Sequence, residues 1–140
     1  MDNLPNKIPN RIKQYLNDRG LSDEILILNE ISWDGTKIVI PIFDINGMFL
    51  YNKYRRDPSI DSGPKYMYDV GSKITLYGIH HLKLNHEVII CEGEFDALIL
   101  QSKGFCAITS TGGATSFQEE WLEVLKDKDV YVVIDRKSVV

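Results

Sequence analysis

The chain has 140 residues, a formal net charge of −4, 44% apolar residues and 26% charged residues. That composition belongs to an ordinary soluble globular protein with a small core, sized for one modest domain or two small subdomains. It excludes a polycation that coats nucleic acid through net charge alone, and the two cysteines, Cys91 and Cys106, form no CxxC pair, which excludes a zinc ribbon.

Each cysteine lies in or beside an apolar run and reads as a small core residue. The sequence carries no signal peptide and no membrane-spanning run, so the expected location is cytoplasmic, with no membrane partner. Charge is unevenly spread. Lys53 to Lys83 holds six basic residues (Lys53, Arg55, Arg56, Lys65, Lys73, Lys83) against three acidic ones (Asp57, Asp61, Asp69). From Cys91 onward carboxylates dominate. A basic segment beside an acidic one suits a phosphate-bearing polymer running past a metal site, or simply two solvated faces.

In chain order, Met1 to Pro9 reads as a polar arm. A helix follows from Asn10, with Ile12, Tyr15 and Leu16 on one face and Gly20 as its C-terminal cap. Ser22-Asp23-Glu24 starts a second, short helix through Leu28. Lys37 to Phe43 is a strand whose Pro41 predicts a bulge or an edge position. Asn46-Gly47 predicts a hairpin turn, and Met48 to Tyr54 the returning strand, which delivers Arg55 and Arg56 to its end. After a loop come Pro64-Lys65-Tyr66-Met67-Tyr68, a lysine for phosphate beside rings that stack on bases or half-bury against the hairpin. Lys73 and Leu76-Tyr77-Gly78-Ile79 lead to a linker at His80-His81, whose spacing does not suit a helical zinc site.

Val88-Ile89-Ile90-Cys91-Glu92-Gly93 reads as a buried strand and tight turn. A helix follows from Glu94 to Lys103, with Phe95, Leu98 and Ile99 on one face and Gly104 closing it. Phe105 to Ser110 is a second strand, making a βαβ unit with parallel strands and a right-handed crossover. Thr111 to Ser116 is a Gly-containing loop, either a plain turn or a phosphate-binding helix start. Ser116-x-x-Glu119 fits a capping box ahead of a helix that buries Phe117, Trp121, Val124 and Leu125. Val130 to Ile134 is a third strand with Asp135 at its carboxyl end. Glu92 and Asp135 therefore fall at the same edge of one sheet, a geometry for a shared Mg²⁺. The plainer alternative makes Glu92 a solvated turn residue and Asp96 a complement to the helix dipole.

This arrangement resembles the TOPRIM domain shared by DnaG-type primases, topoisomerases of types IA and II and some nucleases. The resemblance rests on Glu92-Gly93-x-x-Asp96-Ala97-Leu98 after an apolar strand, Gly104, and the strand ending in Asp135. Upstream, Ile40-Pro41-Ile42-Phe43-Asp44-x-x-Gly47, then Arg55-Arg56, Pro64-Lys65-Tyr66 and Leu76-Tyr77-Gly78, resemble the subdomain that precedes TOPRIM in DnaG-type primases and in phage-type primase-helicases. Together they cover about residues 8 to 135.

The implied fold is α/β. A primase-like N-terminal α+β subdomain with an antiparallel hairpin and a basic DNA-binding track spans residues 1–85. A partial, Rossmann-like TOPRIM domain with parallel strands and crossover helices spans residues 86–140. The implied activity is RNA primer synthesis on single-stranded DNA from ribonucleoside triphosphates by nucleotidyl transfer with Mg²⁺ or Mn²⁺, with a replicative helicase as partner. The resemblance assigns Glu92, Asp135 and Asp96 to catalysis, with Glu92 and Asp135 holding metal. It assigns Arg55, Arg56, Lys65, Tyr66 and Lys73 to nucleic acid. One position departs: Lys137 stands where the family's second metal aspartate would be. The expectation is a C-terminally truncated or altered primase core, with the activity of this chain alone left open, ahead of a variant that has lost catalysis. A TOPRIM nuclease and a non-catalytic DNA-binding replication module are the two other readings.

Overall fold

The structure is a computed structural model that describes residues 8–113 and 116–133. Most of the N-terminal arm, Ala114 and Thr115 of the Gly-containing loop, and Asp135 to Val140 lie outside the described residues.

The chain forms two compact units. One comprises residues through Ile42 together with Phe49–Ser72, and the other Phe43–Met48 together with residues from Lys73 on. In the first, helix α1 (Asn10–Asp18) buries Ile12 and Leu16, and Gly20 at φ 99° closes it. Helix α2 (Asp23–Leu28) starts where Ser22 Oγ accepts a hydrogen bond from the Ile25 N–H at 3.2 Å. A four-stranded sheet of order β1-β2-β3-β4 follows, made of Ser32–Trp33, Lys37–Phe43, Phe49–Arg56 and Tyr66–Tyr68.

The two short outer strands carry no periodic signal and were not expected. Strand β2 is not an edge strand: it lies between β1 and β3, and five successive residues are buried. Its proline is tolerated because β1 pairs only with Ile38 and Val39, so Pro41 lies past the end of that neighbour, where no ladder bond needs its missing N–H. The turn after β2 forms as Asn46-Gly47 predicts. Gly47 takes φ 83°, and Asp44 Oδ1 accepts from the Asn46 and Met48 N–H groups at 2.8 and 3.0 Å.

The second unit holds a sheet of order β5-β7-β6-β8: Leu76–Tyr77, Ala107–Ser110, Glu87–Ile90 and Asp129–Val132. Strand β6 is parallel to both of its neighbours, with Ile90 opposite Ile108 on one side and Val132 on the other. Helix α3 (Glu94–Ser102) connects β6 to β7, packs on β7, and is closed by Gly104 at φ 92°.

Two segments differ from expectation. Leu76–Tyr77, ahead of the expected linker, is a buried strand antiparallel to β7, and the linker at His80-His81 is a 3-10 helix, Ile79–Leu84. Glu119–Leu125 is also 3-10, and the capping box does not form. The Ser116 hydroxyl is occupied instead, donating to the Gly113 carbonyl at 2.7 Å and lying 2.5 Å from the Ser110 hydroxyl. The apolar face it carries is as expected. Trp121 and Leu125 are buried with Val88, Cys106 and Ile108, and Phe117 and Val124 pack against that cluster. Both cysteines are buried and free.

Candidate nucleic-acid interface and metal site

In the second unit, the parallel register brings the carboxyl ends of β6 and β8 to one sheet edge, and the Val133 N–H extends it by donating to the Ile90 carbonyl at 2.8 Å. Glu92, partly buried, leaves that end of the central strand. The turn is pinned from β7: the Cys91 N–H donates to the Ile108 carbonyl at 3.0 Å, and the Thr109 hydroxyl donates to the Cys91 carbonyl at 2.8 Å. Gly93 is the N-cap of α3 with extended backbone, and Asp96, exposed, lies one turn on. Asp135 stands two residues beyond Val133 and lies outside the described residues.

Burial pushes the Cys91 thiol up to about 12, and the charges of Asp96, Glu94 and Glu92 add to that push. Three carboxylates thus concentrate negative charge at this turn, although Glu94 itself is buried in the protein, only 2% exposed. Among the described residues no group of three or more histidine, cysteine or carboxylate side chains is placed to hold a metal ion. The donor set nonetheless fits Mg²⁺, which takes hard oxygen, keeps several waters, and needs only one or two protein carboxylates beside substrate phosphates. A groove of about 610 Å³ lies elsewhere, around His86, Glu87, Gly104 and Phe105, at the end where the chain enters β6 and β7.

In the first unit, β3 alternates. Tyr51, Lys53 and Arg55 are buried, while Asn52, Tyr54 and Arg56 are partly exposed. Antiparallel pairing sets Lys53 opposite Tyr68 and Arg55 opposite Tyr66. Arg55 is 7% exposed and donates to the Arg56 carbonyl and, at 3.2 Å, to the Tyr15 hydroxyl. Arg56 donates to the Gly63 carbonyl at 2.7 Å, and its own N–H donates to the Lys65 carbonyl at 2.8 Å. Lys65 is exposed with its ammonium 5.8 Å from the Tyr66 ring centroid. These four residues are therefore neighbours along one strand pair, whereas Lys73, exposed, belongs to the second unit.

Sequence reading passed over Lys53 as a site residue. Its alternation with Tyr51 and Arg55 was the available signal, but only the β3–β4 register supplies its ring partners.

Arg11 grips Asp57 at the end of this strand pair, with two hydrogen bonds of 2.9 and 2.6 Å, and Asp57 also accepts from the Ser59 N–H and hydroxyl at 2.8 Å each. The hydrogen-bonding guanidinium holds the Asp57 carboxyl well below the usual range. Stability from such a carboxyl is complete above its unfolded value near pH 4 and is lost as pH falls through its folded value. Asp57→Asn should therefore cost about 1–2 kcal/mol at pH 7, a modest figure because Arg11 is half exposed. The deficit should shrink below about pH 4 in thermal melts run across pH. A deficit independent of pH would reject the ionic assignment.

No protein-family model matches the chain, and no curated protein matches it. Solved structures do. The Aquifex aeolicus primase (zinc-binding and RNA polymerase domains) superposes with a TM-score of 0.75 at 20% identity, over 91% of this chain and 43% of that one. A DnaG primase catalytic domain bound to single-stranded DNA gives 0.70 at 21% identity, over 91% and 55%. A chain from the bacteriophage T7 lagging-strand DNA polymerase complex with gp4 primase domains, an RNA/DNA hybrid and dTTP gives 0.70 at 21% identity, over 87% and 66%. The chain spans about half the length of the solved primase chains it matches. With its antiparallel hairpin sheet and its mixed, largely parallel sheet, the chain has the fold of the DnaG-type primase catalytic core.

Proposed function

We propose that this chain is the nucleic-acid-binding and metal-binding part of a primase that makes RNA primers on single-stranded DNA. The observation that carries the reading is Glu92, set on the strand–Gly–helix turn at the carboxyl end of the central parallel strand of a primase-like fold. Residues 1–85 would carry the template track and residues 86–140 the TOPRIM carboxylates. Glu92 and Asp135 would hold Mg²⁺ or Mn²⁺, supported by Asp96. The bound ion supplies activation of an attacking 3′-hydroxyl and neutralisation of the triphosphate leaving group.

The chain's own residues supply position and charge. Arg56 and Lys65 face solvent at the end of the hairpin and grip phosphates, with Lys73 as a further cation. Buried Arg55 fixes the Arg56 carbonyl and so the course of the strand end. Tyr66 offers a ring to a base. Ribonucleoside triphosphates are the substrates, and a replicative helicase is the protein partner.

The test is ribonucleotide incorporation on a single-stranded DNA template with Mg²⁺, alongside NMR of the chain during Mg²⁺ titration. Primer products with saturable amide shifts around Glu92 support the reading. Nicking of DNA without incorporation would make it a nuclease, and metal-independent DNA binding without turnover a replication-protein adaptor.

Binding to single-stranded DNA should weaken with salt, and Lys65→Ala should lower the slope of log affinity against log salt by about 0.7, one phosphate contact on a single strand. An unchanged slope in fluorescence anisotropy titrations removes Lys65 from the track.

A further inference from the structure

We propose that Lys53 is a positioning residue whose buried ammonium holds the Tyr66 and Tyr68 rings as a stacking platform for unpaired nucleobases. This rests on the nucleic-acid reading above and deepens it.

Lys53 is only 4% exposed. A lysine is almost never buried so fully unless paired, because its ammonium loses its hydration. Its Nζ lies 4.3 Å from the Tyr66 ring centroid and 5.3 Å from that of Tyr68, both inside the range of a cation–π contact. The register explains how one ammonium reaches both rings. Tyr68 is directly opposite Lys53, and Tyr66, opposite Arg55, is its diagonal neighbour on the same face of the strand pair.

The rings are themselves restrained. Tyr68 lies 6.5 Å from the Tyr51 ring. Where β4 ends, Asp69 accepts from the Tyr54 hydroxyl at 2.6 Å and from the Asn52 N–H at 2.9 Å, which ties the segment down onto β3. Tyr66 and Tyr68 nevertheless stay 37% and 36% exposed. Each ring therefore meets the Lys53 ammonium while over a third of its residue stays open to solvent.

A methionine at position 53 would fill similar space without the desolvation cost of a charge. What the ammonium adds is attraction to the ring faces, which sets their orientation. Two rings held in fixed orientation present π surface at low entropic cost, and stacking on such rings tolerates any base. The buried ammonium does not reach a phosphate, so its contribution is carried by the bases and not by the backbone.

The experiment compares Lys53→Met, Lys53→Arg and wild type for binding to a thymidine oligonucleotide and to an abasic oligonucleotide of equal length, across salt. Lys53→Met should weaken thymidine binding about tenfold, the scale of one lost base–aromatic stack. It should leave abasic binding and the salt slope unchanged, and Lys53→Arg should restore most of the loss. An equal loss on both oligonucleotides with a smaller salt slope would show that Lys53 meets phosphate, and no loss at all would show that the rings stand without it; either overturns the proposal. If Lys53→Met loses cooperative unfolding, Tyr66→Leu decides. Loss confined to the thymidine oligonucleotide supports the platform, and equal or no loss overturns it. Wild type that binds neither oligonucleotide overturns the nucleic-acid reading itself, and the platform with it.

Discussion

In the full-length parent of the primase proposed above, Glu92→Gln is expected to lower primer synthesis by about three orders of magnitude while changing stability by less than about 1 kcal/mol. The substitution keeps size and shape and removes one negative charge from a partly buried turn. A hard divalent cation depends on anionic oxygen, and a neutral amide oxygen is a poor replacement. Stability should hardly move because the turn is fixed by backbone and by β7, through Cys91 and Thr109, and not by the Glu92 charge alone. The measurement is ribonucleotide incorporation beside a denaturant melt of the same sample. Synthesis at the wild-type rate would remove Glu92 from the catalytic set. A matching collapse in stability would assign its role to the fold.

The largest stability effect is expected at Gly78. Its φ is +85°, a region that costs other residues about 1–2 kcal/mol, and an added Cβ would sit 2.6 Å from the Ala107 carbonyl oxygen. That oxygen is backbone of β7, the strand that β5 pairs with, so it cannot swing aside as a side chain would. Gly78→Ala should therefore cost about 3–5 kcal/mol once overpacking is added to the backbone penalty. Gly104 is the control. Its φ is +92° with nothing within 4 Å of the added carbon, so Gly104→Ala should cost only about 1 kcal/mol. Denaturant melts of the two variants separate conformational strain from collision. Equal losses would mean that β5 does not approach β7 this closely.

Tyr77 makes the same point about β5 from its other side. The residue is 1% exposed, and burial with the Glu94 carboxylate nearby pushes its phenol well above the usual value, so it stays neutral at any physiological pH. The sequence assigns Leu76–Tyr77 no element, only a path to the linker at His80-His81, because two residues cannot display a period. What made them a strand is the partner, Thr109 and Ser110, more than thirty residues later. The same reason hid Ser32–Trp33 and Tyr66–Tyr68.

The expected linker at His80 and His81 is structured as well. They belong to a 3-10 helix, their rings 4.0 Å apart, with His80 edge-on to Phe43 at 5.4 Å. Burial lowers His80 to about 4, with the neighbouring His81 adding to it, so the pair packs as neutral rings at pH 7. A sequence shows two adjacent histidines; it does not show that both are desolvated.

What the sequence determined by itself is what neighbours along the chain decide. Gly20 and Gly104 end their helices because each adopts positive φ just past the last turn. Ser22 starts α2 because its hydroxyl reaches an amide three residues ahead. Asn46-Gly47 turns the hairpin, and the apolar run before Glu92-Gly93 makes a strand that hands over to a helix. These are short-range steric and hydrogen-bonding choices, legible as spacing. The tertiary structure alone decided which groups compete for a partner. The Ser116 hydroxyl went to Ser110 and Gly113 and not to a helix cap. Arg11 found Asp57 across 46 residues. Arg55 turned inward to Tyr15, leaving Arg56 and Lys65 outermost, and Lys53 was enclosed by two rings from another strand. A hydrogen bond or a cation–π contact depends on distance in space, and folding sets that distance through strand register, which residue spacing along the chain does not encode.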